Sequence, residues 1–346
     1  MTRDGSSRAA RYREWRVNRV VLIVIPAVAW FPLVAAWWAN LAVLDPGRAE
    51  AFLAGSLVVE GPVFNWAVAA AAVTGLVLYA HDRGRGQLSV VLEGPLRRRD
   101  VFGTKWLLGG AAVVGAIAVM ALLWTVTLVV SGAGGLAGVV LLRFLVALAM
   151  SLAAFGTALA VSTVLGRLWL TTMAVATWAA LPYFVVGILA RAWMVAPSPY
   201  DVLIPGWIAH ASTWLYDMTV FPQVTPSGPS AWWAVLGWGA WAGLMALLGF
   251  RWWETVPHEL IDMPFGRPGL RTAYHGWWCF MAAMILSFVP LRQAAPYGPQ
   301  VLGAFVISVA GWLSWEGVIR ARRRGKDLRR RPNAAGHTGG PTPEPP

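Results

Sequence analysis

The sequence predicts an all-α, polytopic integral membrane protein of about eight transmembrane helices with both termini cytoplasmic, and three observations predict it. First, 58% of its 346 residues are hydrophobic and only 13% are charged, about half the charged share of an ordinary soluble domain. Second, apolar runs of spanning length recur along the chain. A hydrocarbon core about 30 Å thick needs roughly 20 apolar helical residues, and windows of that kind cover approximately 20–43, 63–80, 107–130, 138–165, 168–192, 232–250, 276–291 and 300–319, the seventh being the shortest. Third, the basic residues take one side. With the N-terminus inside, only Arg48, Arg143, Arg191 and Arg292 of the 28 Lys and Arg fall at the outer side, whereas Asp45, Glu50, Glu60, Asp201 and Asp217 lie outside without penalty. That asymmetry is the positive-inside pattern, which fixes an even number of spans.

Residues 1–19 form a basic cytoplasmic segment, and the apolar run after it is too long and too rich in tryptophan (Trp30, Trp37, Trp38) for a cleaved signal. Residues 20–250 hold six spans, with a charged cytoplasmic loop at 81–105 after the second and an outer segment at 193–231 before the sixth. That outer segment is too apolar for a free loop and too broken by proline for a span, as expected of short re-entrant or surface-lying helices. Residues 251–320 add two helices. Residues 321–346 are a basic stretch followed by a Pro/Gly/Thr-rich disordered tail. Tryptophans gather near the proposed span ends, among them Trp66, Trp232 and Trp233 outside and Trp106, Trp169, Trp252 and Trp253 inside, where indole rings favour the headgroup level. Small residues four apart, Gly239 with Gly243 and Ala111 with Gly115, predict close helix packing.

Several function classes drop out. The net charge of +12 follows the membrane sidedness of the loops, so no nucleic-acid partner is needed to explain it. Cys279 is the sole cysteine, which leaves no disulfide framework or cysteine metal site within one chain. Ionisable groups at membrane depth mark enzymes and pumps, and the spans offer few. Arg143 can snorkel outward and Glu316 pairs in sequence with Arg320. Neither an HExxH nor a GxxxxGK[ST] run occurs. The chain is therefore expected to be no enzyme and to bind no cofactor directly.

The loop itself is more informative. "GQLSVVLEG" places Leu88, Val91 and Leu92 at i, i+3 and i+4, one apolar face on a helix of about nine residues and some 13 Å. Such a helix is marginal alone, so a partner must cover it. After Gly94 and Pro95, "LRRRDVFGTKW" brings Arg97, Arg98, Arg99 and Lys105 to the approach of the third span, an interfacial segment leading into the helix.

An acidic–basic pair, a glycine, an apolar helix, a proline, an arginine run and then a lysine form an order that resembles the cytoplasmic loop of the permease subunits of bacterial ABC type-2 transporters. The matching positions are Asp82, Arg83, Gly86, Leu88, Leu92, Pro95, Arg98 and Lys105. "REWRVNR", with Glu14, Trp15, Arg16, Asn18 and Arg19, resembles the amphipathic elbow that precedes the first span of such permeases. The resemblance covers roughly 1–250. Gly84, Gln87 and Ser89 depart from the residues usual in the family, and the last two spans exceed its six-helix core.

The resemblance implies a coupling helix whose Arg83, Gly86, Leu88, Val91, Leu92 and Glu93 contact a separate ATP-binding subunit, which would carry ATP and Mg. It also implies a second permease, as homodimer or paralogue, a plasma-membrane location among lipids, and export of a hydrophobic or amphipathic cargo. The alternative is a polytopic transporter of another class or a membrane-embedded lipid-modifying enzyme.

Overall fold

The computed structural model describes residues 11–25, 27, 62–84, 97–130, 132, 134–179, 229–256 and 270–279, with isolated positions between 306 and 314. Described residues are helical apart from short connections: α1 (11–25), α2 (Pro62–Gly84), α3 (Arg98–Val130), a 3-10 turn (Gly134–Leu136), α4 (Ala137–Val164), α5 (168–179), α6 (Pro229–Thr255) and α7 (270–279). Among them, the helices running Arg98–Val130, Gly134–Val164 and Ala231–Thr255 are long and apolar enough to cross a membrane, while the apolar stretches Asn65–Tyr79 and Leu168–Ala179 are shorter. The windows at 20–43, 276–291 and 300–319, the outer segment up to residue 228 and the C-terminal tail lie wholly or mostly outside the described residues. The chain divides into two compact units, the first holding α1 to α6 and the second holding α7.

Local chemistry explains where the helices start and stop. α2 and α6 both begin on a proline, Pro62 and Pro229, whose fixed φ and missing N–H suit the first helical position. α2 runs to Gly84. Beyond α3 the chain reverses through Gly132, whose φ of 78° is open to glycine at no steric cost, and the Gly132 amide donates to the carbonyl of Val129. Within the helices, hydroxyls return their hydrogen bonds to their own backbone: Thr74 to Ala70, Thr125 to Ala121, Thr127 to Leu123 and Thr157 to Ala153. A span in lipid must satisfy its polar groups internally, and this is the shortest way to do so.

α4 is the centre of the first unit, packing most extensively on α6 and α2 and then on α3. Every residue from Ala153 to Ala160 is buried, and a helix apolar all round is one that neighbours cover all round. Close approach occurs at Gly75, where a Cβ would lie 2.6 Å from the carbonyl oxygen of Phe155, and at Gly249, which admits the ring of Phe102. The expected packing glycines behave differently. A Cβ at Gly239, Gly243 or Gly115 would meet nothing within 4 Å. α6 instead buries Ala231, Ala234, Trp238, Ala242, Met245 and Trp253, a stripe of helical period that leaves Gly239 and Gly243 about 100° round the axis from it. Trp241 crosses to α4, donating its indole N–H to Thr157 Oγ1 at 3.0 Å, and stacks on Trp178 of α5 with centroids 6.1 Å apart.

Two differences concern the arginine-rich end. The third span starts at Arg98, so "RRDVFGTKW" forms the first turns of α3. Trp253, expected at the headgroup level, is wholly buried and donates to the carbonyl of Arg98 at 3.0 Å. A protein acceptor replaces water, so the indole can leave the interface.

Candidate functional site

The charged residues of α1, α2 and α3 meet in one buried cluster, centred on the ammonium of Lys105. Its relative exposure is 1%. Nζ donates to Asp82 Oδ2 at 2.6 Å, to Glu14 Oε2 at 2.8 Å and to the carbonyl oxygen of Leu78 at 2.8 Å. All three ammonium protons therefore have an acceptor, the condition for an ammonium to stay charged in a dry site. The ring of Tyr79 lies against it, 5.3 Å from Nζ to the centroid, adding the field of a π face.

Helical spacing delivers each partner. Glu14, Asn18 and Leu22 recur four apart on α1 and are all buried, so one face of this basic helix points inward. Asn18 Nδ2 donates to Glu14 Oε2 at 2.8 Å and Arg13 Nη1 to Glu14 Oε1 at 2.7 Å. Arg13 also stands 4.0 Å from Asp82. Two cations thus face two carboxylates, and the cluster is neutral. Leu78, Tyr79 and Asp82 lie on one turn of α2, at i, i+1 and i+4, which brings a carbonyl, a ring and a carboxylate to one Lys105. Among the described residues, Asp82 Oδ1 and Asn18 Oδ1 are buried without a hydrogen-bond partner. Taking charge out of water costs several kcal/mol per ion, so the complete coordination of Lys105 is what makes the position tolerable.

A second set of contacts joins the start of α3 to the end of α6. Arg98 donates to the carbonyl of Trp253 at 3.2 Å and to that of Val256, acceptors that the end of a helix leaves open. Its guanidinium lies 5.8 Å from the Trp253 ring centroid. Arg99 pairs with Glu254 in bidentate fashion through one edge of its guanidinium, Nε donating to Oε1 and Nη2 to Oε2 at 3.2 Å. Tyr79, Phe102 and Trp253 pack between the two sets, with Tyr79 and Trp253 centroids 5.3 Å apart. The carbonyl of Arg97 accepts the amides of Asp100 and Val101, which sets the first turn of α3.

These positions place the residues singled out in the sequence. Glu14 is turned into the protein, while Trp15, Arg16 and Arg19 are exposed on α1. Lys105 lies two turns inside α3, Arg98 and Arg99 are bonded to α6, and Arg97 is exposed. Arg83 is helical in its backbone at the end of α2. Gly86, Leu88, Val91, Leu92, Glu93 and Pro95 lie outside the described residues. Arg13, Tyr79 and Glu254 were not singled out as site residues in the sequence. The available signal was acidic: Glu14, Asp82 and Glu254 are carboxylates inside arginine-rich segments, and Asn18 follows Glu14 by one helical turn. Among the described residues no group of three or more His, Cys, Asp or Glu gathers as a metal site would require.

The arrangement joins α1 to α2 and α3 through Lys105, and the start of α3 to the end of α6 through Arg98, Arg99 and Trp253. In comparisons with known proteins, no family model matches this chain, and no curated protein and no solved structure matches it either.

Proposed function

We propose that the chain is the membrane-spanning permease subunit of an ATP-driven ABC exporter in a bacterial plasma membrane, energised by a separate ATP-binding subunit. The observation that carries the reading is the buried Glu14–Asp82–Lys105 cluster. The segment expected to dock on the ATPase follows the end of α2 at Gly84, two residues after Asp82, and precedes the start of α3 at Arg98, two turns before Lys105. A load on Leu88, Val91 and Leu92 would therefore enter a frame in which one ammonium holds α1, α2 and α3 together. ATP-driven closure of the partner would move these helices as a unit, and the apolar exposed faces of α3 and α6 suit a hydrophobic or amphipathic cargo. A second permease completes the pathway.

The test is gentle purification of the tagged chain from its native membrane with assay of the eluate for ATP hydrolysis. A co-purifying P-loop ATPase is expected, and Leu92→Asp, Leu88→Asp or Val91→Asp should abolish its recovery while leaving the permease monodisperse in detergent. Undiminished ATPase recovery from those variants would remove the coupling role from this segment. An active chain without any such partner would move the function to a different transporter class.

A further inference from the structure

An open-sided groove of about 400 Å³ runs along the flank of α3, between it and α6, with Leu152 of α4 at its base. Its floor is made of missing side chains: Gly103, Gly110 and Ala111 of α3 and Ala246 of α6, with Trp106 and Phe250 as walls. The small residues create the space. A Cβ at Gly110 would only touch the Trp106 ring at 3.4 Å, and one at Gly103 would reach Phe250 at the same distance. Its lining is predominantly apolar, so water gains little by filling it.

One end of the groove is charged. Residues four apart on a helix sit one above the other, so Arg99 stands one turn beyond Gly103, and Glu254 one turn beyond Phe250. Their ion pair therefore closes the groove at its mouth. Arg97, just before the first turn of α3, and Arg251, next in sequence to Phe250 on α6, are exposed, while Asp100 and Glu254 are the acids of the same turns, leaving a positive excess. An apolar trough ending in arginines is complementary to a molecule with a long hydrocarbon chain and an anionic head.

We infer that this groove holds one acyl chain of an anionic glycerophospholipid from the arginine-bearing leaflet, with its phosphate beside Arg97 and Arg251. The site is formed by the outer flank of the bundle, separate from the Lys105 cluster, and its occupancy does not depend on the transport reading. Two sources of affinity act at different places. The chain loses apolar surface to the trough, and the head gains about fivefold for each arginine near it.

The probe is phosphatidylglycerol, with phosphatidylcholine as the zwitterionic comparison. It is added to the purified full-length chain in mild detergent and read as retained adducts by native mass spectrometry. The wild-type chain is expected to keep one phosphatidylglycerol in preference to phosphatidylcholine. Filling the trough from its exposed side with Ala111→Phe should lower retention of both lipids on the order of tenfold. Val114→Trp supplies an independent filling variant should the first fail to fold, with melting temperature and elution volume as controls.

Arg97→Gln with Arg251→Gln should keep the adduct but erase the headgroup preference. Adduct levels unaffected by either filling variant would overturn the inference. So would equal retention of the two lipids by the wild-type chain, or a shift from dimer to monomer on filling with no loss of lipid, which would assign the groove to a second copy.

Discussion

Lys105 has a buried ammonium with three acceptors. Removing one member of a buried, satisfied pair leaves its partner charged and dry, which costs about 3–5 kcal/mol. Lys105→Met is therefore expected to lower the melting temperature of the detergent-solubilised chain sharply, by stranding Glu14 and Asp82. Adding Asp82→Asn to Lys105→Met should cost far less than Asp82→Asn does alone, because the charge to be compensated has already gone. Additive losses in that double-mutant cycle would mean that the two side chains do not share an interaction. Arg99 and Glu254 make a contrasting pair. Both are open to solvent, where an ion pair is worth little, so Glu254→Gln should leave the melting temperature nearly unchanged. The sequence shows each of these residues, yet it does not show which carboxylate meets which cation: 91 positions separate Lys105 from Glu14 in the chain.

At the scale of elements, helix positions follow closely from hydropathy, and helix faces do not. α2, α4 and α6 fall where apolar windows predict them, because an apolar run is visible without knowing its neighbours, although only those of α4 and α6 are of spanning length. α3 begins earlier than its apolar window because Arg98 and Arg99 find carbonyls and a carboxylate at the end of α6, and those contacts exist only once α6 is alongside. The glycines argue the same point. Gly239 and Gly243 have the spacing of a packing motif but face open space, whereas Gly75 touches the backbone of α4. Gly75→Leu is expected to destabilise the chain strongly, since the obstacle at 2.6 Å is a backbone oxygen that cannot rotate away. Gly239→Leu should be neutral or slightly stabilising in the monomer, where it exchanges a poor helix former for a good one. Thermal unfolding of the two variants side by side distinguishes the faces. An equal loss would show that α6 packs through Gly239 as well.

For the whole molecule, both proposals depend on sidedness: which end of the bundle would meet the proposed ATPase, and which leaflet would supply the proposed lipid. Reporter fusions after residues 60, 90, 220, 262 and 335 are expected to read out, in, out, in and in. An outside signal at residue 335 would break the eight-span topology, and one at residue 90 would separate the coupling segment from any cytoplasmic ATPase. The sequence alone determined that the chain is helical and membrane-spanning in character, because hydrocarbon thickness and backbone satisfaction act on each segment independently of the others. It also marked the 81–105 loop and its arginines, since charge beside oil is conspicuous wherever it lies. Tertiary structure decided that Glu14 turns inward, that Lys105 is a buried node and that Trp253 leaves the interface. Those outcomes depend on acceptors supplied by other helices, and buried charge is tolerated only where such acceptors converge.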